Sequence, residues 1–143
     1  MTSTPTAAAV GDTAAPREFG PLTRQMFVRY SGASGDLNPM HYDDNMARSA
    51  GNPSVFSQGM HQSALLATFA TDWLGAENVR RFGVRFREQV WPDDVLTCNG
   101  SVTAITEGAG GEVVATVELV CTRQTGAVAI AGSADFVVPK ATT

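Results

Sequence analysis

The sequence is short of the residues that would staple, ligate or anchor a chain. Two cysteines among 143 residues, Cys98 and Cys121, cannot build a disulfide framework. Both sit in strand-like stretches where a cross-strand bridge or two packed thiols would fit, and free thiols are the expectation for so few cysteines. Two histidines with no pair at ligand spacing leave no basis for a structural metal. The strongest apolar run, Ala64 to Ala70, falls well short of the roughly 20 residues that span a bilayer. The first residues carry neither the basic opening nor the long apolar run of a secretory signal, so a cytoplasmic chain is expected. An excess of positive charge is missing too: 10 Lys and Arg against 14 Asp and Glu give a formal net charge of -4, which argues against a general nucleic-acid binder. An anionic ligand would have to be met by a local basic patch.

What is present points to one folded unit. Hydrophobic residues make up 43% of the chain and charged residues 17%, too apolar a balance for disorder. A domain of this length buries roughly two thirds of its unfolded surface. Residues 1–16 are mostly Thr, Ala, Ser and Pro, too little large apolar surface to offset the entropy of ordering, and read as a flexible arm. Residues 17–143 read as a single domain with no internal repeat. Arg17 to Pro21 suits a short edge strand, and Leu22 to Tyr30 an amphipathic helix with Met26, Phe27 and Tyr30 on one face and Thr23 as its cap. Ser31 to Pro39 is dense in turn formers and reads as an ordered loop. Asp43 to Arg48 suits a short helix with acids in its first turn, ending near Gly51 and Pro53.

Gln58 to Leu74 carries apolar residues all round, including Met60, Leu65, Leu66, Phe69 and Trp73, as a buried helix would, and Gly75 supplies its stop. The period then changes to two. Phe82, Val84 and Phe86 alternate with arginines, and Val95 to Val102, Val113 to Cys121 and Val128 to Val138 also read as strands. A helix that is apolar on every side buries itself only if something wraps it. The fold class is therefore α+β, an antiparallel sheet wrapped around a long central hydrophobic helix: the hotdog fold.

The chemically informative stretch is Gly35-Asp36-Leu37-Asn38-Pro39-Met40-His41, followed downstream by Phe56-Ser57-Gln58-Gly59-Met60. It resembles the signature of the MaoC-like hydratases and dehydratases, in which a Gly-Asp-x-Asn-Pro-x-His loop precedes a hydrophobic stretch and a Gly-Met helix start. The detail is most similar to single-hotdog (R)-specific enoyl-CoA hydratases and mycobacterial-type 3-hydroxyacyl thioester dehydratase subunits, and the resemblance runs from about Val10 to Val138. It implies reversible hydration of a trans-2-enoyl thioester to the (R)-3-hydroxyacyl thioester, with Asp36 and His41 as the acid/base pair. Such a reaction needs a base for the weakly acidic α-proton, an acid for the departing hydroxyl and stabilisation of charge on the thioester oxygen. Imidazole and carboxylate supply the first two, and an imidazole with a reference pKa near 6.5 exchanges protons readily near neutrality. The Asn-Pro turn can reverse the chain and bring the two together. Asn38 is the expected organiser, and Gly59, at a helix start where the dipole favours negative charge, the expected oxyanion donor. Ser63 is a further substrate-binding candidate, with helix packing equally open to it.

The remaining polar residues have plainer readings beside the functional ones. His61 reads as a packing or pocket-wall residue. Gln58 departs from relatives, which often carry His before the Gly-Met pair. Arg80, Arg81, Arg85 and Arg87 suit either the phosphates of coenzyme A, the acidic face of an acyl carrier protein, or a solvated strand face. Phe56, Leu65, Phe69, Trp73 and Trp91 read as core or interface before acyl tunnel. No separate cofactor is implied; coenzyme A or phosphopantetheine enters as part of the substrate. A homodimer, or a heterodimer with another hotdog subunit, is the expected assembly. The alternatives are a hotdog acyl thioesterase and a noncatalytic acyl-binding subunit of a hotdog heterodimer.

Overall fold

A computed structural model describes residues 7–140. Its elements are β1 (Arg17–Phe19), α1 (Arg24–Ser34), α2 (Asp44–Ser49), α3 (Gly59–Leu74), β2 (Val79–Phe86), β3 (Leu96–Glu107), β4 (Val113–Arg123) and β5 (Val128–Val138). The strands form one antiparallel sheet in the order β1-β3-β4-β5-β2. The alternation of side chains decides its two faces. Leu96, Cys98 and Val102 of β3, Val117, Leu119 and Cys121 of β4, and Ile130, Ala134 and Phe136 of β5 are all buried toward the helix. Between them, Asn99, Glu118 and Ser133 point the other way.

Helix α3 fills the trough, packing on β2, β3, β4 and β5, with Leu66, Phe69, Ala70 and Leu74 buried. Each such apolar side chain removed from water contributes on the order of 1.5–3 kcal/mol. Gly100 lets the helix come this close: a Cβ there would lie 3.1 Å from the Trp73 ring and 3.2 Å from that of Phe69. Cys98 and Cys121 stand opposite one another across β3 and β4 as buried free thiols. The Cys98 thiol donates a hydrogen bond to Cys121, which together with burial raises the Cys98 pKa and keeps its sulfur protonated.

Two elements differ from the sequence-based reading. Helix α1 does not end at Tyr30 but runs on through Ser34. Ser31 is buried against the start of α3, the Ser34 hydroxyl donates back to the Tyr30 carbonyl, and Gly35 takes the left-handed conformation (φ 77°) that closes the helix. Tertiary contact thus overrides turn-forming composition. Of the N-terminal arm, residues 1–6 lie outside the described residues. Residues 9–13, expected to be flexible, are docked on β3: the Gly11 N–H donates to the Val102 carbonyl at 2.9 Å, the Val102 N–H to that of Asp12 at 2.8 Å, and Thr13 bridges to Ser101. Backbone pairing supplies what apolar composition could not. The Thr23 cap on α1 is as expected, its hydroxyl accepting from the Met26 N–H.

Asp94 ties the sheet to the start of α1. Its buried carboxylate accepts from Arg123 on β4, the Gln124 amide and the Trp91 N–H, while its carbonyl accepts from Leu22. Burial opposes ionisation, yet these donors and the Arg123 charge outweigh it and hold the carboxyl below its ordinary range. Asp94→Ala leaves Arg123 in a half-dry site with only the exposed Glu88 carboxylate beside it, and should lower the unfolding free energy by about 3 kcal/mol in urea titrations. Because the folded-state pKa is depressed, the stabilisation is present above the unfolded carboxylate pKa of roughly 4 and is lost as pH falls through the lower folded value. The gap between wild type and Asp94→Ala should therefore narrow in acid.

Candidate active site

The loop after α1 is wound so that two side chains five residues apart face one another. The Asp36 N–H donates to the Ser34 hydroxyl, and the Asn38 N–H donates to Asp36 Oδ1 at 3.3 Å. Asn38 Oδ1 accepts from the Met40 N–H at 3.1 Å and caps a single 3-10 turn, Pro39–His41, in which proline stands at a position that needs no N–H. The Tyr42 hydroxyl reaches back to the Leu37 carbonyl at 3.0 Å and closes the loop. The turn reverses the chain, and His41 Nε2 comes to 3.4 Å from Asp36 Oδ2. Their environments differ: the His41 side chain is 8% exposed, that of Asp36 46%.

The other face of the imidazole is fixed by the backbone. His41 Nδ1 lies 2.7 Å from the Phe56 carbonyl oxygen. A carbonyl can only accept, so Nδ1 carries the hydrogen and, in the neutral ring, Nε2 presents its lone pair toward Asp36. In that neutral form, lone pair and carboxylate have no proton between them. A water or hydroxyl placed against both would donate to each. The Phe56 ring stands edge-on to His41 (5.1 Å, 85°), and Trp91 edge-on to Phe56 (6.0 Å, 75°), giving the imidazole an aromatic wall.

Phe56 also connects the pair to α3. It lies three residues before Gly59, so the carbonyl that holds His41 is within about 10 Å of the helix start. The first N–H groups of a helix have no partner within it, and the cap residue Gln58 contributes no side-chain bond to them. Its amide is engaged elsewhere: Nε2 donates to the Phe27 carbonyl and the Ser31 hydroxyl, both at 2.8 Å, from a side chain 1% exposed, while Oε1 has no protein partner. This fastens the end of α1, which leads into Asp36, to the start of α3. At Gly59 itself a Cβ would lie 3.0 Å from the Phe86 ring, so the absence of a side chain admits the ring of an edge-strand residue over the helix tip. Ser63 lies one turn further along α3; it is buried, and its hydroxyl is not bonded to the pair.

The sequence reading identified Asp36, Asn38, His41 and Gly59, and the structure joins the first three through hydrogen bonds and the close Asp36–His41 approach. It missed the Phe56 carbonyl and the Phe86 ring. A main-chain acceptor leaves no trace in side-chain identity, and Phe86 reads as one more apolar strand residue. His61 proves more engaged than a lone packing histidine: Nδ1 is 3.0 Å from the Ser57 hydroxyl, and the ring stacks on Tyr30 (5.1 Å, 26°).

The fold and the site together define a class, a hotdog protein with a paired imidazole and carboxylate beside the segment that opens its central helix. Comparison with known proteins supplies the family. Residues 5–124 match the MaoC like domain, and the chain belongs to that family of hotdog hydratases and dehydratases. It is 28% identical over 99 residues to the 3-oxo-4,17-pregnadiene-20-carboxyl-CoA hydratase beta subunit of Mycobacterium tuberculosis, covering 61% of this chain and 77% of that protein. Its fold is similar to a chain of the ChsH1-ChsH2 complex from the same organism (TM-score 0.79, 21% identity, 92% of this chain and 98% of that one). It is also similar to the (R)-hydratase from A. caviae involved in PHA biosynthesis (TM-score 0.75, 25% identity, 92% and 98%).

Burial lowers the His61 pKa below its ordinary value, and its place in the first turn of α3 opposes protonation further. The His61 imidazole resonance should therefore titrate below about 6.5 in NMR spectra. The linked stability is present above the unfolded pKa and is lost as pH falls through the lower folded value. His61→Gln should flatten that slope.

Proposed function

We propose that the chain hydrates trans-2-enoyl thioesters to (R)-3-hydroxyacyl thioesters and catalyses the reverse dehydration, with Asp36 and His41 as the acid/base pair. The observation that carries this reading is the contact of His41 with the Phe56 carbonyl: Nδ1 lies 2.7 Å from that acceptor, which leaves Nε2 of the neutral ring as a proton acceptor 3.4 Å from Asp36 Oδ2. A water donating to both acceptors lies with its oxygen free to attack Cβ of the enoyl group. As the new C–O bond forms, an O–H bond of the water breaks and its proton passes to the pair. The electrons of the double bond move onto the thioester oxygen, where an N–H at the start of α3, Gly59 foremost, meets the charge. The pair then returns a proton to Cα. Dehydration follows the same path backward. Asn38 serves the reaction by holding Asp36 and capping the turn that aims His41.

The membership in a hydratase and dehydratase family and the hydratase names of two of the similar proteins support this reaction over others. No separate cofactor takes part in the proposed steps; the acyl carrier arrives with the substrate. The assembly we propose is a pair of hotdog subunits, identical or different, in a cytoplasmic setting. The support for pairing is β2, an edge strand whose outer side is unpaired and whose Phe86 is 56% exposed at the helix tip.

Purified protein, alone and with candidate hotdog partners, should change the enoyl absorbance of a crotonyl thioester without releasing free thiol. Thiol release without hydration would point to a thioesterase. Asp36→Asn and His41→Ala should each reduce hydration by about 10²–10⁴-fold, with circular dichroism unchanged. Folded variants that retain parental rates would remove both residues from the mechanism.

A further inference from the structure

Cys98 and Cys121 take no part in the Asp36–His41 chemistry, yet their placement is that of a couple. They are direct partners in the antiparallel register of β3 and β4, so their side chains leave the same face of the sheet. Residues opposed in such a ladder have Cα atoms about 4.5–5.5 Å apart, inside the roughly 4.4–6.8 Å that a disulfide spans. No backbone movement is needed to join them.

The two sulfurs are also unequal. The Cys98 thiol donates to Cys121, and that hydrogen bond lowers the Cys121 pKa against the effect of burial. Cys121 is therefore the sulfur that more readily becomes a thiolate, and the thiolate is the nucleophile.

Both thiols are fully buried, so a reagent needs a path to them. On one side β3 is flanked by β1 alone, a strand of three residues at the border of the sheet. Arg17 of β1 stands opposite Cys98, and its guanidinium crosses to Asp72 of α3 in an ion pair whose members are 45% and 61% exposed. Its positive charge is felt at Cys98. A short edge strand and a solvated ion pair form a cover that opens by local fraying. The edge proposed for subunit pairing, β2, is at the far end of the sheet.

We propose that Cys98 and Cys121 are a dithiol that hydrogen peroxide converts, within the folded chain, into a cross-strand disulfide, with Cys121 attacking and Cys98 resolving. The Cys121 thiolate forms an S–O bond as the O–O bond of the peroxide breaks; the departing hydroxide takes up a proton and leaves as water. Cys98 then attacks the sulfenic acid: the S–S bond forms, the S–O bond breaks, and the Cys98 proton leaves with the second water. Two thiols are oxidised and one peroxide is reduced. Asp94 and Arg123, ion-paired just beyond the couple, place this bridge at the end of the sheet to which α1 is tied.

Peroxide treatment of the folded protein, followed by alkylation in denaturant, tests it. Both wild-type thiols should disappear together, and digestion should yield a peptide joining Cys98 to Cys121 that reduction separates. The oxidised protein should unfold at a higher urea concentration than the reduced one, because the bridge closes a loop in the unfolded chain. In C98S the oxidised Cys121 has no resolving thiol and should be trapped by dimedone as its sulfenic acid; in C121S, Cys98 should remain a thiol. Thiols that persist in the folded wild type, under peroxide that oxidises the urea-unfolded chain, would overturn the proposal, as would disulfides formed between chains instead of within one. Dimedone labelling of Cys98 in C121S as fast as that of Cys121 in C98S would overturn the assignment of the attacking sulfur. The wild-type measurements require neither variant to fold.

Discussion

The hydrogen bond from His41 Nδ1 to the Phe56 carbonyl is the constraint on which the site depends. It places a hydrogen on Nδ1 and so leaves Nε2 of the neutral ring as an acceptor. It also joins the loop after α1 to the segment that opens α3. Without it the 3-10 turn could still form, held by Asn38 and Pro39, but the ring would be free to rotate and the approach to Asp36 would be one of several. A main-chain carbonyl does this well because its place is set by the backbone: the next residue, Ser57, donates its own N–H to Val90 at 2.8 Å.

Around that bond the molecule divides into a rigid part and an adjustable one. The sheet and α3 share a continuous core in which glycine at position 100 and aromatic residues at 69 and 73 interlock, and the thiols of Cys98 and Cys121 contribute apolar volume. The site sits where this core meets the surface. His41 is within it and Asp36 half outside, a placement that shields the imidazole while leaving the carboxylate open to water and ligand. Gln58 performs the corresponding task for the helices, with its buried amide holding α1 to α3. That role accounts for a long polar side chain at the cap position of α3.

Much of this could be read from the chain because it depends on local pattern. The all-round apolar helix from Gln58 to Leu74, the period-two strands that follow it and the Gly-Asp-x-Asn-Pro-x-His spacing are each signals within a short window. The errors fell where long-range contact decides. Ser31 to Ser34 is turn-forming by composition yet helical, since Ser31 is clasped by Gln58 from the far side of the loop. The arm looks too polar to order, yet its backbone finds β3. Four arginines in and just after β2 look alike until Glu112, just before β4, and Asp135 of β5 pair with two of them, while Arg85 and Arg87 meet no carboxylate among the described residues.

The sequence by itself determined which groups are available and roughly how the chain turns: an imidazole and a carboxylate on either side of an Asn-Pro bend, a glycine opening a buried helix, and strands of fixed alternation. These follow from steric and hydrogen-bonding preferences that act over a few residues. Only the tertiary structure decided which nitrogen of His41 is free, what shields it, and which arginines remain uncommitted. Each of those depends on an acceptor or a carboxylate brought near from a distant part of the chain, and the position of such a partner is a property of the packed fold.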